Sequence, residues 1–256
     1  MLSSMFDLTG KVALVTGGSK GLGKAMARGL AEAGADIVIS SRHEGELQKA
    51  AQEIGAGLSR KVIYQVADMT DRKAVQGLAD FALKEMGRVD ILINNAGSNI
   101  PQGIDKITDE AWDQIIELNL NSCMVLTRAL IPQMRTRKWG RVIHISSIMG
   151  LGSKEARNSY SATKSALIGM CRATALDVGA DGITVNCIAP GPILTDLPAS
   201  VLSKTEQEVF AGRTALGRWG EPKELAGPAL LLASDAGSYI TGSVLLVDGG
   251  TMAKIF

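Results

Sequence analysis

The sequence predicts an α/β fold in which one doubly wound parallel sheet carries helices on both faces. Short β-branched runs alternate with longer Ala- and Leu-rich segments along the chain. Alternation of that kind builds parallel sheets through helical crossovers. The composition agrees: 46% of residues are hydrophobic but only 4% are aromatic, which suits Val, Ile, Leu and Ala strands covered on both faces.

In order, the strand-like runs are Val12 to Thr16, Ile37 to Ser41, Val62 to Val66, Ile91 to Asn94, Val142 to Ser146, Thr184 to Ala189 and Val244 to Val247. Helical patterns begin near Gly21, Glu44, Arg72, Glu110, Tyr160 and Pro222. No repeat, low-complexity tract or Pro/Ser linker interrupts them, so residues 1–256 read as a single domain. The stretch of about 197–213, before GRWGEPKELAG, is long for a connection and reads as a substrate-covering lid.

Bulk properties exclude several classes. A net charge of +1 gives no reason to expect nucleic acid or an anionic membrane as partner. Cys123, Cys171 and Cys187 are odd in number and form no CxxC pair, which argues against a disulfide framework or zinc knuckle and for a reducing cytoplasm. With only His43 and His144, no metal site is expected. The N-terminus shows no basic, then apolar, leader pattern, and no segment approaches membrane-spanning length. The expectation is a soluble cytoplasmic protein.

The first strand runs into TGGSKGLG and then a helical stretch, AMARGLAEAG. Gly17, Gly21 and Gly23 let the backbone turn tightly and approach a pyrophosphate, with Ser19, Lys20 and Leu22 between them. The helix N-terminus offers amides and the positive end of a dipole. A glycine-rich loop after a first strand and before a helix is the context of a Rossmann-type dinucleotide site.

The spacing Gly17-x-x-x-Gly21-x-Gly23 resembles the short-chain dehydrogenase/reductase family, and the resemblance covers essentially the whole chain. It takes in NNAG at 94–97, a Ser after the fifth strand, YSATK at 160–164 and APGPILT at 189–195. The chain resembles both 3-oxoacyl-carrier-protein reductases and gluconate 5-dehydrogenases. It implies that Asp68 and Met69 meet the adenine and that Asn95 steadies the central sheet. It further implies that Ala96 and Gly97 leave room for the ribose, and that the Pro190–Gly191 turn, the Ile193 amide and Thr195 meet the carboxamide. Asp68 is also a candidate helix N-cap, since Asp68 and Thr70 precede a helical segment.

An NAD-selective site places a carboxylate at the end of the second strand, to accept from the ribose 2′-hydroxyl. This strand ends in Ser40, Ser41 and Arg42, with Asp36 at its other end. Arg42 presents a fork suited to a 2′-phosphate, and Lys20 adds a second positive charge. NADP(H) is expected in preference to NAD(H).

A hydride transferred to a carbonyl leaves an alkoxide that needs a proton. A free phenol, with a pKa of roughly 10, holds its proton too tightly near neutrality, and a nearby ammonium favours the phenolate. Tyr160 and Lys164, four apart, share one helix face. Ser147 stands thirteen residues before Tyr160, the family's spacing, and would hydrogen-bond the substrate oxygen; Ser146 is its competitor. The resemblance makes Asn119 the fourth member, in a locally bent helix whose freed carbonyl holds a water linking Lys164 to solvent; Asn121 competes for that place. A catalytically idle NADP(H)-binding regulator on the same fold is the rival reading, and the complete Ser147, Tyr160, Lys164 and Asn119 set argues against it.

The remaining expectations are coarser. His144, mid-strand among Val142, Ile143 and Ile145, reads as a core histidine, and Cys123 and Cys171 as small packers. Ala162, Ala166, Gly169 and Ala173 make a small-residue stripe that permits close helix approach or packs on the sheet; the family's habit implies a homotetramer. Candidate pocket residues are Met149, Leu151, Ile193, Leu194 and Leu197, with Asn99 and Arg157 the polar members and Arg157 a carboxylate anchor. The substrate reads as a 3-oxoacyl thioester or other small ketone, or else a sugar acid. Two departures bear on it. Asp181 stands where carrier-protein reductases tend to have Arg, although Lys138 keeps a basic residue at the second docking position. Ser98, Asn99, Ile100 and Pro101 stand where gluconate-type enzymes tend to have Arg.

Overall fold

A computed structural model describes residues 2–195 and 203–254. A short helix α1 (Leu2–Met5) precedes β1 (Val12–Thr16), α2 (Gly21–Glu32), β2 (Asp36–Ser41), α3 (Glu44–Gly55), β3 (Val62–Val66), α4 (Arg72–Met86) and β4 (Ile91–Asn94). Then come α5 (Asp109–Ile116), a π-helical segment (Glu117–Asn121), α6 (Ser122–Arg137), β5 (Gly140–Ile145), α7 (Asn158–Val178) and β6 (Ile183–Pro190). The chain closes with α8 (Lys204–Gly212), α9 (Ala226–Ala233) and β7 (Val244–Val247).

The seven strands form one sheet in the order β3-β2-β1-β4-β5-β6-β7, with every pair parallel. Strand order reverses between β1 and β4, and the crevice beyond their carboxyl ends is where such sheets bind ligands. The period-2 alternation of β1 shows why the sheet needs two helical layers. Val12 and Leu14 pack with α4, α6 and α7 on one face. Ala13 and Val15 pack with α2, α3 and α9 on the other. All five residues of β1 are buried.

Helix ends follow local chemistry. Asp71 caps α4 by accepting from the Lys73 amide, and Gly87, at φ +73°, closes it. Thr108 caps α5 through the Ala111 amide. Asp68 is therefore not the helix N-cap: its carboxylate accepts from the Thr70 amide and hydroxyl, at 2.9 and 2.8 Å, in a turn before the helix.

Other boundaries differ from the sequence expectation. β5 begins at Gly140, and Ser146 falls just outside it. The Pro222 segment is a 3-10 turn to Leu225, with the helix proper starting at Ala226. Within the stretch read as a lid, residues 204–212 are a helix whose capping box pairs Ser203 with Glu206. Residues 196–202, including Leu197, lie outside the described residues. The small-residue stripe does not pack on the sheet: α7 buries Thr163, Lys164, Leu167, Ile168 and Cys171 instead, while Ala162, Gly169 and Ala173 are exposed and Ala166 is half-buried. Among the described residues no helix is long and apolar enough to cross a membrane.

Candidate active site

The carboxyl ends of β1, β4 and β5 bring the glycine loop, the NNAG turn and Ser147 to one edge. α7 lays Tyr160 and Lys164 across it. In the glycine loop, Gly17 and Gly21 adopt φ of +63° and +55°, a left-handed conformation that favours glycine. A Cβ on Gly17 would stand 2.9 Å from Asn95 Nδ2, and one on Gly23 would run into the Gly17 carbonyl. Lys20 occupies the N-cap of α2 without a side-chain cap, so no side chain competes for the amides of that first turn. This cradle fits a dinucleotide pyrophosphate. Gly21 lies against Thr195, where a Cβ would be 3.4 Å from Cγ2, so the turn after β6 reaches back to the loop.

A hydrogen-bond knot ties β1 to β4. Asn95 Nδ2 donates to the Thr16 carbonyl at 2.8 Å and the Gly17 carbonyl at 3.2 Å. The Thr16 hydroxyl accepts from the Asn95 and Ala96 amides at 3.0 and 2.9 Å. Thr16 was not singled out from the sequence; a hydroxyl at the last strand position before the glycine loop was the signal for it.

Near the ribose end, Ser41 is half-buried and Arg42 exposed. Lys20 is held by Glu46 of α3 at 3.2 Å, and the same carboxylate accepts from Ser19 Oγ at 3.3 Å. That contact holds the Glu46 carboxyl below its usual range, mainly through the Lys20 hydrogen bond. Glu46 too escaped the sequence reading, because nothing in its spacing marks a contact across two elements. Asp68 is exposed and Met69 buried. The Thr70 amide, with lesser help from the Thr70 hydroxyl and the Arg42 charge, keeps the Asp68 carboxyl low against its partial burial.

The Lys164 ammonium is buried and donates to the Ile145 carbonyl at 2.7 Å, 5.5 Å from the centre of the Tyr160 ring. A Cβ at Gly97 would meet Lys164 Nζ at 3.4 Å and Asn119 Oδ1 at 3.2 Å, which places all three residues together. Ser147 Oγ accepts from the Met149 amide at 3.1 Å, leaving its own proton to give. The neighbouring Ser146 spends its hydroxyl on the Lys164 carbonyl at 2.8 Å. That separates the two serines physically.

The two asparagines separate in the same way. Asn119 is fully buried, donates to the Ser98 carbonyl and the Thr163 hydroxyl at 2.9 and 3.2 Å, and accepts from the Ser98 amide at 2.9 Å. Asn121 faces the other way and donates to Glu117 at 2.6 Å. Asn119 lies inside the π-helical segment, where the widened turn disturbs the regular carbonyl ladder. The Cys123 thiol donates to the Asn119 carbonyl at 3.4 Å. Thiols are weak donors, and a carbonyl keeps a second lone pair for water.

At the far side, Gly191 packs on Asp248, where a Cβ would lie 2.6 Å from its Cα, and Pro190 pairs with Val247. Asp248 accepts from the Gly250 and Met252 amides, a structural turn. The Ile193 side chain is buried in the core against Gly220, so it does not line a substrate pocket as expected from the sequence. Met149 and Leu194 are half-buried and Leu151 exposed.

Sheet, loop and side-chain set define a dinucleotide-dependent oxidoreductase. The sequence profile described as short chain dehydrogenase matches residues 11–206, and the chain belongs to that family. It is a dehydrogenase/reductase of the alcohol–carbonyl couple that uses NAD(P)(H). A 2-dehydro-3-deoxy-D-gluconate 5-dehydrogenase of Pseudoalteromonas atlantica is 38% identical over 251 residues, 97% of this chain and 98% of that one. A 3-oxoacyl-[acyl-carrier-protein] reductase of Chlamydia trachomatis is 39% identical over 243 residues, 95% and 98% of the two chains. Among solved structures, a gluconate 5-dehydrogenase of Burkholderia cenocepacia in complex with NADP and tartrate superposes with a TM-score of 0.93 at 33% identity, covering 100% of both chains.

His144 sits beneath this site, fully buried, with Nδ1 3.1 Å from Asn94 Nδ2 and with no partner for Nε2 among the described residues. Burial first, then the Lys164 charge, pushes its pKa down to about 4. The folded protein thus refuses a proton that the unfolded chain accepts below its ordinary value of 6.5. Stability is fully present above that value and falls as pH drops from 6.5 towards 4, by on the order of 3 kcal/mol. Urea unfolding across this range should show the decline, with a shallower slope in His144→Leu than in the parent chain.

Proposed function

We propose that the chain interconverts a carbonyl and a secondary alcohol with NADP(H), acting on a small molecule free in solution. The carrying observation is the convergence of Ser147, Tyr160, Lys164 and Asn119 beside the dinucleotide cradle. Bound NADPH supplies the hydride. The Ser147 hydroxyl donates to the substrate oxygen and opposes charge build-up there. The Tyr160 phenol gives the proton that the nascent alkoxide takes, and the Lys164 ammonium favours the phenolate left behind. Asn119, held at both ends by Ser98, offers its backbone carbonyl to a relay water beside Lys164.

Tyr160→Phe should therefore lower kcat by about a thousandfold or more while NADPH binding, read by fluorescence titration, changes little. Substantial residual turnover would remove Tyr160 from the role.

The NADP(H) preference is supported by the missing carboxylate at the end of β2 and by the NADP bound in solved relatives. Arg42 forms no ion pair among the described residues and is free to meet a 2′-phosphate. Lys20 must exchange Glu46 for that phosphate, and an exposed pair of this kind is worth only about 0–1 kcal/mol. Arg42→Ala should raise the KM for NADPH about tenfold and leave that for NADH nearly unchanged, as steady-state kinetics with both cofactors would show.

A substrate delivered on an acidic carrier protein is disfavoured by the surface before β6. Asp181 pairs with Lys138 at 2.6 Å and Arg135 at 2.9 Å, which sets a carboxylate between the two cations on the face a carrier would approach. A relative that binds tartrate, a hydroxy diacid, supports a sugar-acid type of substrate instead.

The outward small-residue face of α7, with Leu176 87% exposed beside it, supports pairing of these helices and a homotetramer. Light scattering should give the mass of four chains, and Gly169→Arg should yield smaller species. A monomeric parent chain would end that reading.

A further inference from the structure

Ser98, Asn99, Ile100 and Pro101, which follow NNAG, carry no cation. The loop after β4 and the segment entering α7 are joined by a bridge between Gln102 and Arg157. The Gln102 amide donates to the Ala156 carbonyl at 3.2 Å, and Asn158 Nδ2 to the Gln102 carbonyl at 3.2 Å. On these two joined segments lie two buried polar atoms without partners among the described residues, Arg157 Nη1 and Asn99 Oδ1. A buried guanidinium N–H left unpaired is costly, and the cost is recovered when a ligand supplies the acceptor.

Two more cations lie close by. Lys154 Nζ and Arg213 Cζ both lie over the Phe210 ring, 5.2 and 5.5 Å from its centre. None of Lys154, Arg157 and Arg213 forms an ion pair among the described residues. Burial, then the charges of Arg157 and Arg213, hold the Lys154 ammonium below its ordinary pKa, and Glu155 only partly offsets them. Three cations gathered in this way repel one another until an anion joins them.

We propose that Lys154, Arg157 and Arg213 seat an anionic group of the substrate, a carboxylate a few carbons from the reacting carbonyl, with Asn99 meeting a hydroxyl between them. This rests on the oxidoreductase reading above and narrows it to keto and hydroxy acids. Arg157 is the N-cap of α7, three residues before Tyr160, so the seat and the reacting centre are carried by one helix. Phe210, on α8, carries two of the cations, so the segment read as a lid contributes to the seat.

The test compares short keto acids with their methyl esters, and with a phosphopantetheine thioester of the same acyl group, in NADPH-consumption assays on the full chain. The expected result is a preference for free acid over ester of about tenfold or more in kcat/KM, the worth of one charge-assisted contact. In Lys154→Gln, Arg157→Gln and Arg213→Gln that ratio should fall towards one. Equal use of acid and ester, or a ratio unchanged in all three variants, overturns the proposal, and so does a preference for the phosphate-bearing thioester.

A binding measurement separates this proposal from the catalytic reading. With NADPH saturating, malonate and tartrate should raise the melting temperature of the parent chain, and Lys154→Gln and Arg213→Gln should lose the rise. Such a rise without turnover of any ketone keeps the anion seat and sinks the catalytic reading. Turnover without any rise or acid preference does the reverse.

Discussion

The Lys164 ammonium, 4% exposed, donates to the Ile145 carbonyl at 2.7 Å in a site walled by Gly97, Asn119 and the Tyr160 ring. A buried charge is tolerated only where its neighbours satisfy it, and much of the surrounding architecture follows from that demand. β5 must end where its last carbonyl can accept. At position 97 a Cβ would sit tightly against Asn119 Oδ1, at 3.2 Å, and in contact with Nζ, so glycine gives this corner its room. The helix backbone is pinned as well: Ser146 holds the Lys164 carbonyl, and a Cβ at Gly150 would lie 2.8 Å from it. The same charge reaches His144 from above and helps keep it neutral in the core.

A second constraint sits at the reversal of strand order. Between β1 and β4 the helices leave in opposite directions, and the gap beyond the strands needs closing without filling. Thr16 and Asn95 close it with hydrogen bonds to backbone, and glycines at 17 and 23 let the loop pack against Asn95 and against itself.

Polar groups along the cleft differ in how fully they are satisfied. The Asn119 side chain uses its donors and acceptor within the protein. Arg157 Nη1 and Asn99 Oδ1 have no partner among the described residues. A folded chain tolerates unpaired buried groups where a ligand completes them, and natural sequences depart from local consistency mainly at such places. On the surface before β6, by contrast, Asp181 pairs with both Lys138 and Arg135 within the protein.

The strands and the glycine loop were readable because each is written in a continuous stretch: β-branched runs, a Gly17/Gly21/Gly23 spacing and an i, i+4 Tyr–Lys pair depend only on near neighbours. The helix over 204–212 was equally local, announced by the SKTE capping box, and passed unread inside a stretch taken for a lid. Choices between adjacent residues were not local. Ser147 over Ser146 and Asn119 over Asn121 are separated by which hydroxyl or amide the packing consumes. Ile193 turned inward, Lys20 met Glu46, and Lys138 met Asp181 only once distant elements came together. The sequence by itself determined which elements form and what chemistry they carry, because those follow from periodicity and residue type. Tertiary structure alone decided which polar groups are spent on the fold and which stay open for a ligand, because that depends on contacts between segments far apart in the chain.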